Sequence, residues 1–318
     1  MNKLKISILS VFLLIVVISC NQHNTDKSLT VKGNIRISGA FALYPMAQLW
    51  SDEFQKENPD VIIDISAGGA GKGISDVLSG MVDLAMVSRE IKPEEIQKGA
   101  WYIAVTKDAV LPVINVNNPM KEQLLTKGIT RTQLENIFIK NDKKTWGGIF
   151  NKQNNNPINV YTRSDACGAA EIWAKFFNKK QEDLKGTGIF GDPGVADAVS
   201  KDKYGIGYNN IIYVYNSKTG NPNNGIIPLP IDCNANGIID TNEAFYGTLK
   251  EINNAVRDGK YPSPPARELY FVSNGKPTKP LVLAFLNWVV TKGQQMVENA
   301  GYVKLNKQRI EEESKKLE

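Results

Sequence analysis

The fold is decided by two nearby segments, residues 35–54, IRISGAFALYPMAQLWSDEF, and residues 61–92, VIIDISAGGAGKGISDVLSGMVDLAMVSREIK. In each segment a short β-branched run, Ile35–Ile37 or Val61–Ile65, ends in a turn of small residues that leads into a helical pattern. We therefore expect two helices to begin at the same end of a parallel sheet. Their N-termini present unpaired backbone N–H groups, and the small side chains let a ligand approach the backbone. This pattern predicts an α/β fold with a crevice that binds an oxyanion.

A single Gly-rich strand-to-helix turn is ordinary in α/β proteins, so one such turn is weak evidence for a ligand site. A nucleotide-binding loop is a sharper alternative, but the sequence of Gly68–Gly73 does not fit it. The segment lacks the G-x-x-x-x-G-K spacing and the Ser or Thr after Lys72 that would hold Mg²⁺, and Gly39 does not begin a G-x-G-x-x-G motif. A third turn of the same kind, within Val160–Ala169, favours the oxyanion interpretation.

The N-terminus predicts the compartment. Two lysines precede an apolar run, Ile6–Ile18, that is too short to span a bilayer and is typical of a signal peptide. The residues that end this run resemble a bacterial lipobox, which implies cleavage before Cys20 and lipidation of that cysteine. We expect a signal peptide at 1–19, a polar tether at 20–30, and a membrane-anchored lipoprotein on the periplasmic or extracytoplasmic face.

Composition limits the other possibilities. A mature chain of roughly 300 residues is large for one compact core, so we expect two lobes. A formal net charge of +5 suits an anionic ligand but is too small to predict binding of nucleic acid. The chain has no C-x-x-C motif and a single histidine, His23, so zinc sites and histidine-based catalysis lack their parts.

Two β-rich segments are expected to cross between the lobes. The predicted first lobe comprises residues 31–108 and 268–318, and the second comprises 109–267. The run Tyr102–Val116 would leave the first lobe and the strand Leu269–Val272 would return to it. Two hinged lobes form a cleft that can close around a ligand. We expect the protein to be a monomer.

Three segments together carry a family resemblance: residues 38–50, SGAFALYPMAQLW, residues 66–90, SAGGAGKGISDVLSGMVDLAMVSRE, and residues 162–177, TRSDACGAAEIWAKFF. With them, the chain resembles the phosphate-binding component of bacterial ABC phosphate transporters over essentially its whole mature length. The resemblance implies the type II periplasmic-binding-protein fold, in which each lobe is a mostly parallel sheet flanked by helices and two strands form the hinge. It also implies that the protein captures inorganic phosphate in the interlobe cleft and delivers it to an ABC permease without catalysing a reaction.

The resemblance further implies a set of binding residues. In that family the anion is held by backbone N–H groups and hydroxyls of the first two turns, by an arginine, and by a short third segment. Carried over position by position, the predicted phosphate-binding residues are Ala40, Phe41, Ala42, Gly69, Ala70, Gly71, Ser88, Arg89, Arg163, Asp165, Cys167, Gly168 and Ala169. Arg163 would supply a planar pair of donors to two anion oxygens, and Asp165 would orient it.

This sequence departs from the family pattern at several of these positions. Ala40, Ala42, Cys167 and Ala169 stand where hydroxyl side chains are common, so the site would depend on backbone donors and arginine. Some relatives carry Asp at the position of Arg89, where it accepts the proton of hydrogen phosphate and rejects sulfate. Its absence predicts weaker discrimination against sulfate. The alternatives that remain are another tetrahedral oxyanion (sulfate, molybdate or tungstate), an enzyme acting on phosphate esters through Cys167, and a surface sensor without a permease.

A second motif, DCNANGIIDTNE at residues 232–243, fits the pattern D-x-[DN]-x-[DN]-G-x₅-E without a gap. Oxygen ligands at these spacings match a Ca²⁺ sphere, and Gly237 would supply the sharp bend. The predicted ligands are Asp232, Asn234, Asn236, the carbonyl of Ile238, Asp240 and Glu243. No convincing helix pair surrounds the loop, so we expect one structural calcium ion in the second lobe. An Asn- and Gly-rich turn without metal is the alternative.

Overall fold

Two adjacent long strands, β4 (Ala100–Asn115) and β11 (Ala266–Asn274), form the centre of the sheet. The computed structural model describes residues 31–142, 144–150 and 155–318. The predicted signal peptide, the whole predicted tether and the lipidation site lie outside these residues. In the part of the chain that is described, no helix is both long and apolar enough to cross a bilayer.

Helices and short strands alternate along most of the chain. The remaining strands are β1 (Gly33–Gly39), β2 (Val61–Ala67), β3 (Leu84–Val87), β5 (Ile129–Thr130), β6 (Asn159–Arg163), β7 (Thr187–Ile189), β8 (Gly205–Asn210), β9 (Ile226–Pro228) and β10 (Ile231–Asp232). The α-helices are α1 (Tyr44–Glu57), α2 (Ala70–Leu78), α3 (Pro93–Gln97), α4 (Lys121–Lys127), α5 (Arg131–Glu135), α6 (Trp146–Ile149), α7 (Gly168–Phe176), α8 (Gly191–Lys201), α9 (Ile211–Val214), α10 (Leu249–Arg257), α11 (Pro280–Val290) and α12 (Lys307–Leu317). A π-helical segment covers Asn136–Lys140, and 3₁₀ turns cover Gln181–Asp183 and Lys292–Gln295.

The main sheet joins two parallel groups of strands. Its order is β2-β1-β3-β11-β4-β8-β6-β7, and β9 also pairs with β4. β1 runs parallel to β2 and β3, and β6 runs parallel to β7 and β8, whereas β11 and β4 are antiparallel to their neighbours. This arrangement confirms the predicted α/β class with largely parallel flanks. The predicted lobe boundaries at 108/109 and 267/268 fall inside β4 and β11 and stay a prediction.

Two hydrophobic clusters fill the interior. In the first, α1 places Met46, Trp50 and Phe54 on one face because these apolar residues recur every four positions. Phe54 packs edge-on against Phe285 of α11, with ring centroids 5.4 Å apart. Burial of each such side chain contributes about 1.5–3 kcal/mol relative to exposure, so this face fixes the helix to the sheet.

The second cluster is centred on aromatic side chains of α7 and β8. Trp173 stacks on Tyr208 at a centroid distance of 5.6 Å, and Phe138 packs edge-on against both rings. The hydroxyl of Tyr208 accepts a hydrogen bond from the backbone N–H of Arg163 at 3.2 Å. The core of this region therefore fixes the end of β6, where the arginine emerges.

Strand register sets the edge at which the turns meet. Gly39 pairs with Ala67 of β2 and with Met86 of β3, so these parallel strands end side by side. Gly39 has φ 133°, and a Cβ there would lie 2.3 Å from the carbonyl oxygen of Met86. Only glycine fits this position. α1 and α2 begin at the same edge, as the sequence predicted.

Candidate anion-binding site

The predicted anion-binding residues come mainly from three turns, defined here as the first turn, residues 40–43, the second turn, residues 68–71, and the third turn, residues 164–169. The second turn is linked to Gly39, the residue directly before the first turn, because the Gly68 N–H donates to the Gly39 carbonyl at 2.9 Å. It is linked to the third because the Gly71 N–H donates to the Ala166 carbonyl at 3.1 Å. The structure thus brings together all three turns that the sequence singled out.

Glycines make this close approach possible. Gly69 has φ 89°, and a Cβ there would lie 2.7 Å from the carbonyl oxygen of Ala166. At Gly168 a Cβ would lie 2.3 Å from the Oγ of Ser88, the residue that follows β3. Ser88 and the second turn both lie directly against the third turn, so neither glycine position has room for a side chain.

Backbone N–H groups at the turns fall into two classes. Four predicted donors already bond within the protein, namely those of Ala40, Gly69, Gly71 and Cys167. Five others have no hydrogen-bond partner within residues 31–142, 144–150 and 155–318, namely those of Phe41, Ala42, Ala70, Gly168 and Ala169. These five lie at, or just before, the starts of α1, α2 and α7, where the helix dipoles are positive. They form a set of free donors suited to an anion.

Arg163 is placed beside these donors by the end of β6. It is 5% exposed, and its Nε and Nη2 donate to the two carboxylate oxygens of Asp165 at 2.8 and 2.5 Å. Its Nη1 donates to Asp192 at 2.5 Å, and the guanidinium carbon lies 5.4 Å from the ring centroid of Phe41. A guanidinium has five N–H donors, so one on each Nη remains free. Arg163 can therefore hold two oxygens of one anion while Asp165 orients it.

The Arg163 side chain stays positively charged in the folded protein. Burial acts to lower the pKa of its guanidinium, but the negative charges of Asp192 and Asp165 outweigh burial and raise that pKa above its ordinary value. The side chain is therefore a permanent cation held in a fixed orientation. Such a group adds both charge and geometric selectivity to the neutral amide donors.

Sequence reasoning missed a buried polar network behind Arg163. Asp192, at the start of α8, accepts a hydrogen bond from Asn210 at 2.6 Å, and Asn210 in turn accepts one from Arg267. The Nε of Arg267 donates to the Ser88 carbonyl at 3.2 Å, and its Nη1 lies 3.5 Å from Asp108. Polar residues at the end of the apolar strand β8 were the available signal. Their partners come from distant parts of the chain, which spacing alone does not reveal.

Asp108 is a buried carboxylic acid of this network with a perturbed acidity. Burial raises the pKa of its carboxyl group to about 6, although the nearby charge of Arg267 acts in the opposite direction. One of its oxygens accepts a hydrogen bond from the Ile211 N–H at 3.3 Å, and the other has no hydrogen-bond partner in the described part of the chain. Asp108 therefore takes up a proton at mildly acidic pH.

Arg89, which the resemblance placed in the site, is held by carboxylates of its own surroundings. Its two Nη atoms donate to both oxygens of Glu95 at 2.9 and 2.6 Å, and its Nε lies 3.1 Å from Glu171. One Nη also donates to the Glu90 carbonyl at 2.9 Å. The guanidinium thus serves an ion network around α3 and α7, and its contact with an anion stays a prediction.

Cys167 is the N-cap residue of α7. Its Sγ accepts a hydrogen bond from the Ala170 N–H at 3.4 Å, and its side chain is buried. Burial raises the pKa of the thiol to about 12, although the charge of Arg163 acts to lower it. Since a nucleophilic cysteine requires a depressed pKa, this environment does not favour a reactive thiolate.

Comparison with known proteins supplies relatives over most of the chain. Protein SphX of Synechococcus elongatus is 27% identical over 282 residues, covering 85% of this chain and 77% of that protein. The phosphate-binding protein PstS of Pseudomonas aeruginosa is 27% identical over 318 residues, covering 92% and 89% of the two chains. A candidate phosphate ABC transporter substrate-binding protein from Clostridium perfringens, solved with bound phosphate, has a TM-score of 0.70 at 21% identity, covering 86% of this chain and 100% of that one.

A family model also matches most of the chain. The model of the PBP superfamily domain matches residues 24–292, which is most of the chain. This match agrees with the observed sheet, in which two parallel groups of strands are joined by β4 and β11. The chain therefore belongs to the PBP superfamily.

Proposed function

We propose that this protein is an extracytoplasmic binding protein that captures inorganic phosphate and delivers it to an ABC permease. The observation that carries the proposal is the set of free donors at the three turns. Five backbone N–H groups and one N–H on each Nη of Arg163 lack partners within the described ranges. Four of these five residues are Ala or Gly, so an anion can approach the backbone there.

The chemistry of these donors suits a tetrahedral oxyanion. Amides at three helix starts can surround an anion from several directions, and the two free N–H groups of Arg163 fit two of its oxygens. Hydrogen bonds to charged groups contribute more than neutral ones, so binding can be strong without hydroxyl side chains at positions such as Ala40 and Ala169. The names of the relatives, phosphate-binding protein PstS among them, support phosphate as the oxyanion.

Sulfate, molybdate and tungstate remain as alternative ligands. Hydrogen phosphate carries a proton that needs an acceptor, whereas sulfate carries none. Both oxygens of Asp165 and both of Asp192 already accept hydrogen bonds from the protein, which leaves little acceptor capacity beside Arg163. This supports a site that also admits sulfate at millimolar concentration.

A binding role fits the site better than catalysis. The first and second turns carry Ala, Phe, Leu and Gly where a phosphoryl-transfer enzyme would need a nucleophile, and the candidate nucleophile of the third turn is Cys167. The raised pKa of that thiol argues against its use in covalent catalysis. We therefore propose that the protein performs no reaction on its ligand.

The remaining parts of the proposal follow from the sequence and the family. A lipid anchor on Cys20 would hold the protein at the membrane surface, on the extracytoplasmic side where permeases receive their ligand. We propose that the mature chain acts as a monomer whose two lobes close on phosphate. The family resemblance supports both parts, and the lipobox-like sequence supports the anchor.

The test is calorimetric titration of residues 21–318 with phosphate, sulfate, molybdate and tungstate. Bound anion is first removed by unfolding, dialysis and refolding. We expect phosphate to bind with about one site per chain and more tightly than the other three anions. Tighter binding of molybdate or tungstate would replace phosphate by that anion, and no heat with any of the four would contradict the proposal.

A further inference from the structure

The loop Asp232–Glu243, defined here as the acidic loop, connects β10 to the segment before α10. It is not part of the three anion-binding turns. Its backbone folds around its own side chains. Asp232 accepts hydrogen bonds from the N–H groups of Asn236 and Gly237 at 3.2 and 2.9 Å. Gly237 has φ 84°, the left-handed conformation that the sharp bend requires.

Glu243 closes the loop by reaching back to its start. Its Oε1 accepts hydrogen bonds from the N–H groups of Cys233 and Asn234 at 2.8 and 3.2 Å. The side chain is therefore held against the first residues of the loop, next to Asp232. The two ends of the loop meet through this carboxylate.

The second carboxylate oxygen of Glu243 is an acceptor that no described residue satisfies. Glu243 is 6% exposed, and its Oε2 is buried with no hydrogen-bond partner among the described residues. Asp232 is 2% exposed. Burying a carboxylate oxygen without a partner costs free energy, because its hydration is lost and no hydrogen bond replaces it. Buried charges in proteins are normally paired or bound to metal.

Protein cations do not balance these charges. Within the described ranges, no lysine or arginine forms an ion pair with Asp232, Asp240 or Glu243. By contrast, Asp165 and Asp192 near the anion-binding turns are each paired with Arg163. The acidic loop thus buries negative charge without the compensation that the same protein provides elsewhere.

We infer that the acidic loop binds one Ca²⁺ ion. The ligands are the carboxylates of Asp232 and Glu243, the side-chain oxygens of Asn234 and Asn236, the carbonyl of Ile238, and Asp240 through a water molecule. Six or more oxygen ligands suit Ca²⁺, whereas Mg²⁺ requires a smaller octahedron and retains its waters.

The role assigned to Asp240 agrees with its position. Its Oδ2 accepts a hydrogen bond from the Asn234 amide at 2.9 Å, and its Oδ1 accepts one from the Asn242 N–H at 2.9 Å. In the described part of the chain no three acidic, thiol or imidazole groups converge as a metal cluster. The proposed sphere therefore contains two direct carboxylates, completed by amide, carbonyl and water oxygens.

A calcium ion here would stabilise the region that the loop joins. The loop begins at β10, which pairs with β5, and the Ile239 N–H donates to the Thr126 carbonyl of α4 at 2.9 Å. The ion would fix this attachment, and its binding would stabilise the folded state by an amount that rises with the logarithm of the calcium concentration above Kd.

The experiment measures calcium binding and thermal unfolding of the mature chain after treatment with EDTA and removal of the chelator. Titration with CaCl₂ should give about one site per chain and raise the melting temperature, while MgCl₂ at equal concentration should not. Glu243→Gln should weaken calcium binding by more than roughly tenfold, the loss that even groups behind metal ligands can cause. The matched control Glu182→Gln, which neutralises an exposed carboxylate, should bind calcium as the unmodified chain does.

A second variant guards against misfolding of Glu243→Gln. Asn236 is exposed, so Asn236→Ala should fold and still bind calcium more weakly than the unmodified chain. The inference is overturned if the unmodified chain shows neither calcium-dependent heat nor a calcium-dependent melting temperature. It is also overturned if Mg²⁺ reproduces the effect or if both variants bind calcium normally. Phosphate titration of the same samples separates this result from the proposed function.

Discussion

The acidic loop differs from the network around Arg163 in how buried negative charge is neutralised. Each contains three carboxylates: Asp108, Asp165 and Asp192 in the network, and Asp232, Asp240 and Glu243 in the loop. The network places Arg163 and Arg267 among its carboxylates, whereas no lysine or arginine in the described ranges pairs with those of the loop. The network therefore pairs its carboxylates with its own arginines, and spare donors remain for an anion. The loop requires a cation from outside.

The largest expected effect is that of Arg163→Ala on phosphate binding. Removing one partner of a buried, hydrogen-bonded charge pair costs roughly 2–4 kcal/mol, so phosphate affinity should fall by at least tenfold. The variant also leaves Asp192 buried without its cation, so the free energy of unfolding should fall as well. Calorimetric titration and thermal unfolding measure the two effects separately.

Arg89 and Arg257 give the matched comparisons for this prediction. Arg257→Ala removes a half-exposed arginine and should leave phosphate affinity unchanged. Arg89→Ala breaks the pair with Glu95, which should lower stability while affecting phosphate affinity far less than Arg163→Ala does. Equal losses of affinity for the two buried arginines would show that Arg89 also contacts the anion, as the sequence resemblance implied.

The second prediction concerns the pH dependence of stability. Burial raises the pKa of Asp108 in the folded protein to about 6, above its ordinary value of 3.8, despite the opposing charge of Arg267. The folded state therefore binds a proton that the unfolded state releases between these two values. The resulting stabilisation is complete below about pH 3.8 and is lost as pH rises through 6, an effect on the order of 3 kcal/mol.

Asp108→Asn isolates this effect because asparagine stays neutral. The groups that face Asp108 are Arg267, Asp192 and the N–H groups of Ala109 and Ile211, and all of them remain in the variant. The unfolding free energy of the unmodified chain minus that of the variant should decrease between pH 4 and pH 7. A constant difference would rule out the raised pKa. Asp60→Asn, at an exposed carboxylate, is the control.

Much of the fold could be predicted because local patterns determine it. The apolar spacing after Pro45 predicts a helix over residues 45–56, and the structure has α1 at Tyr44–Glu57. The β-rich run predicted at Tyr102–Val116 is β4 at Ala100–Asn115. Turn sequences also predicted that helices begin beside one another, since register in parallel strands leaves no other arrangement.

The candidate site could be predicted only where its residues lie in short motifs. The three turns are local sequence features, and the structure brings them together. Arg267 was not found, because nothing in the strand ARELYFVSN indicates that its arginine reaches Ser88 and Asn210 from β11. The partners of Arg89 were not found either, since Glu171 lies far from it in sequence. Tertiary contacts over such separations carry no local signal.

The third prediction compares the two cysteines that lie in these two regions. Burial raises the pKa of Cys167 to about 12, and partial burial and the charge of Glu243 raise that of Cys233 to about 11. The two thiols differ mainly in access, because Cys167 is buried and Cys233 in the acidic loop is exposed. Iodoacetamide should therefore label Cys233 in the native protein and reach Cys167 only after unfolding. Mass spectrometry of labelled peptides measures both sites. Rapid labelling of native Cys167 that phosphate prevents would revive a nucleophilic role for this residue.

The smallest expected effect is that of Glu243→Gln on phosphate affinity. The acidic loop is anchored to α4 and β5, and no described hydrogen bond or ion pair joins Glu243 to the three anion-binding turns. Two sites are coupled only if one ligand distinguishes the states that the other selects, and measured couplings start at about fivefold. We therefore expect phosphate affinity to change by less than about threefold on Glu243→Gln or on removal of calcium. Titration of phosphate into the unmodified chain and the variant, each with calcium and with EDTA, checks this expectation. A larger change in both the variant and the EDTA samples would mean that the loop controls closure of the cleft. Calcium binding at the loop and phosphate binding at the turns would then be coupled.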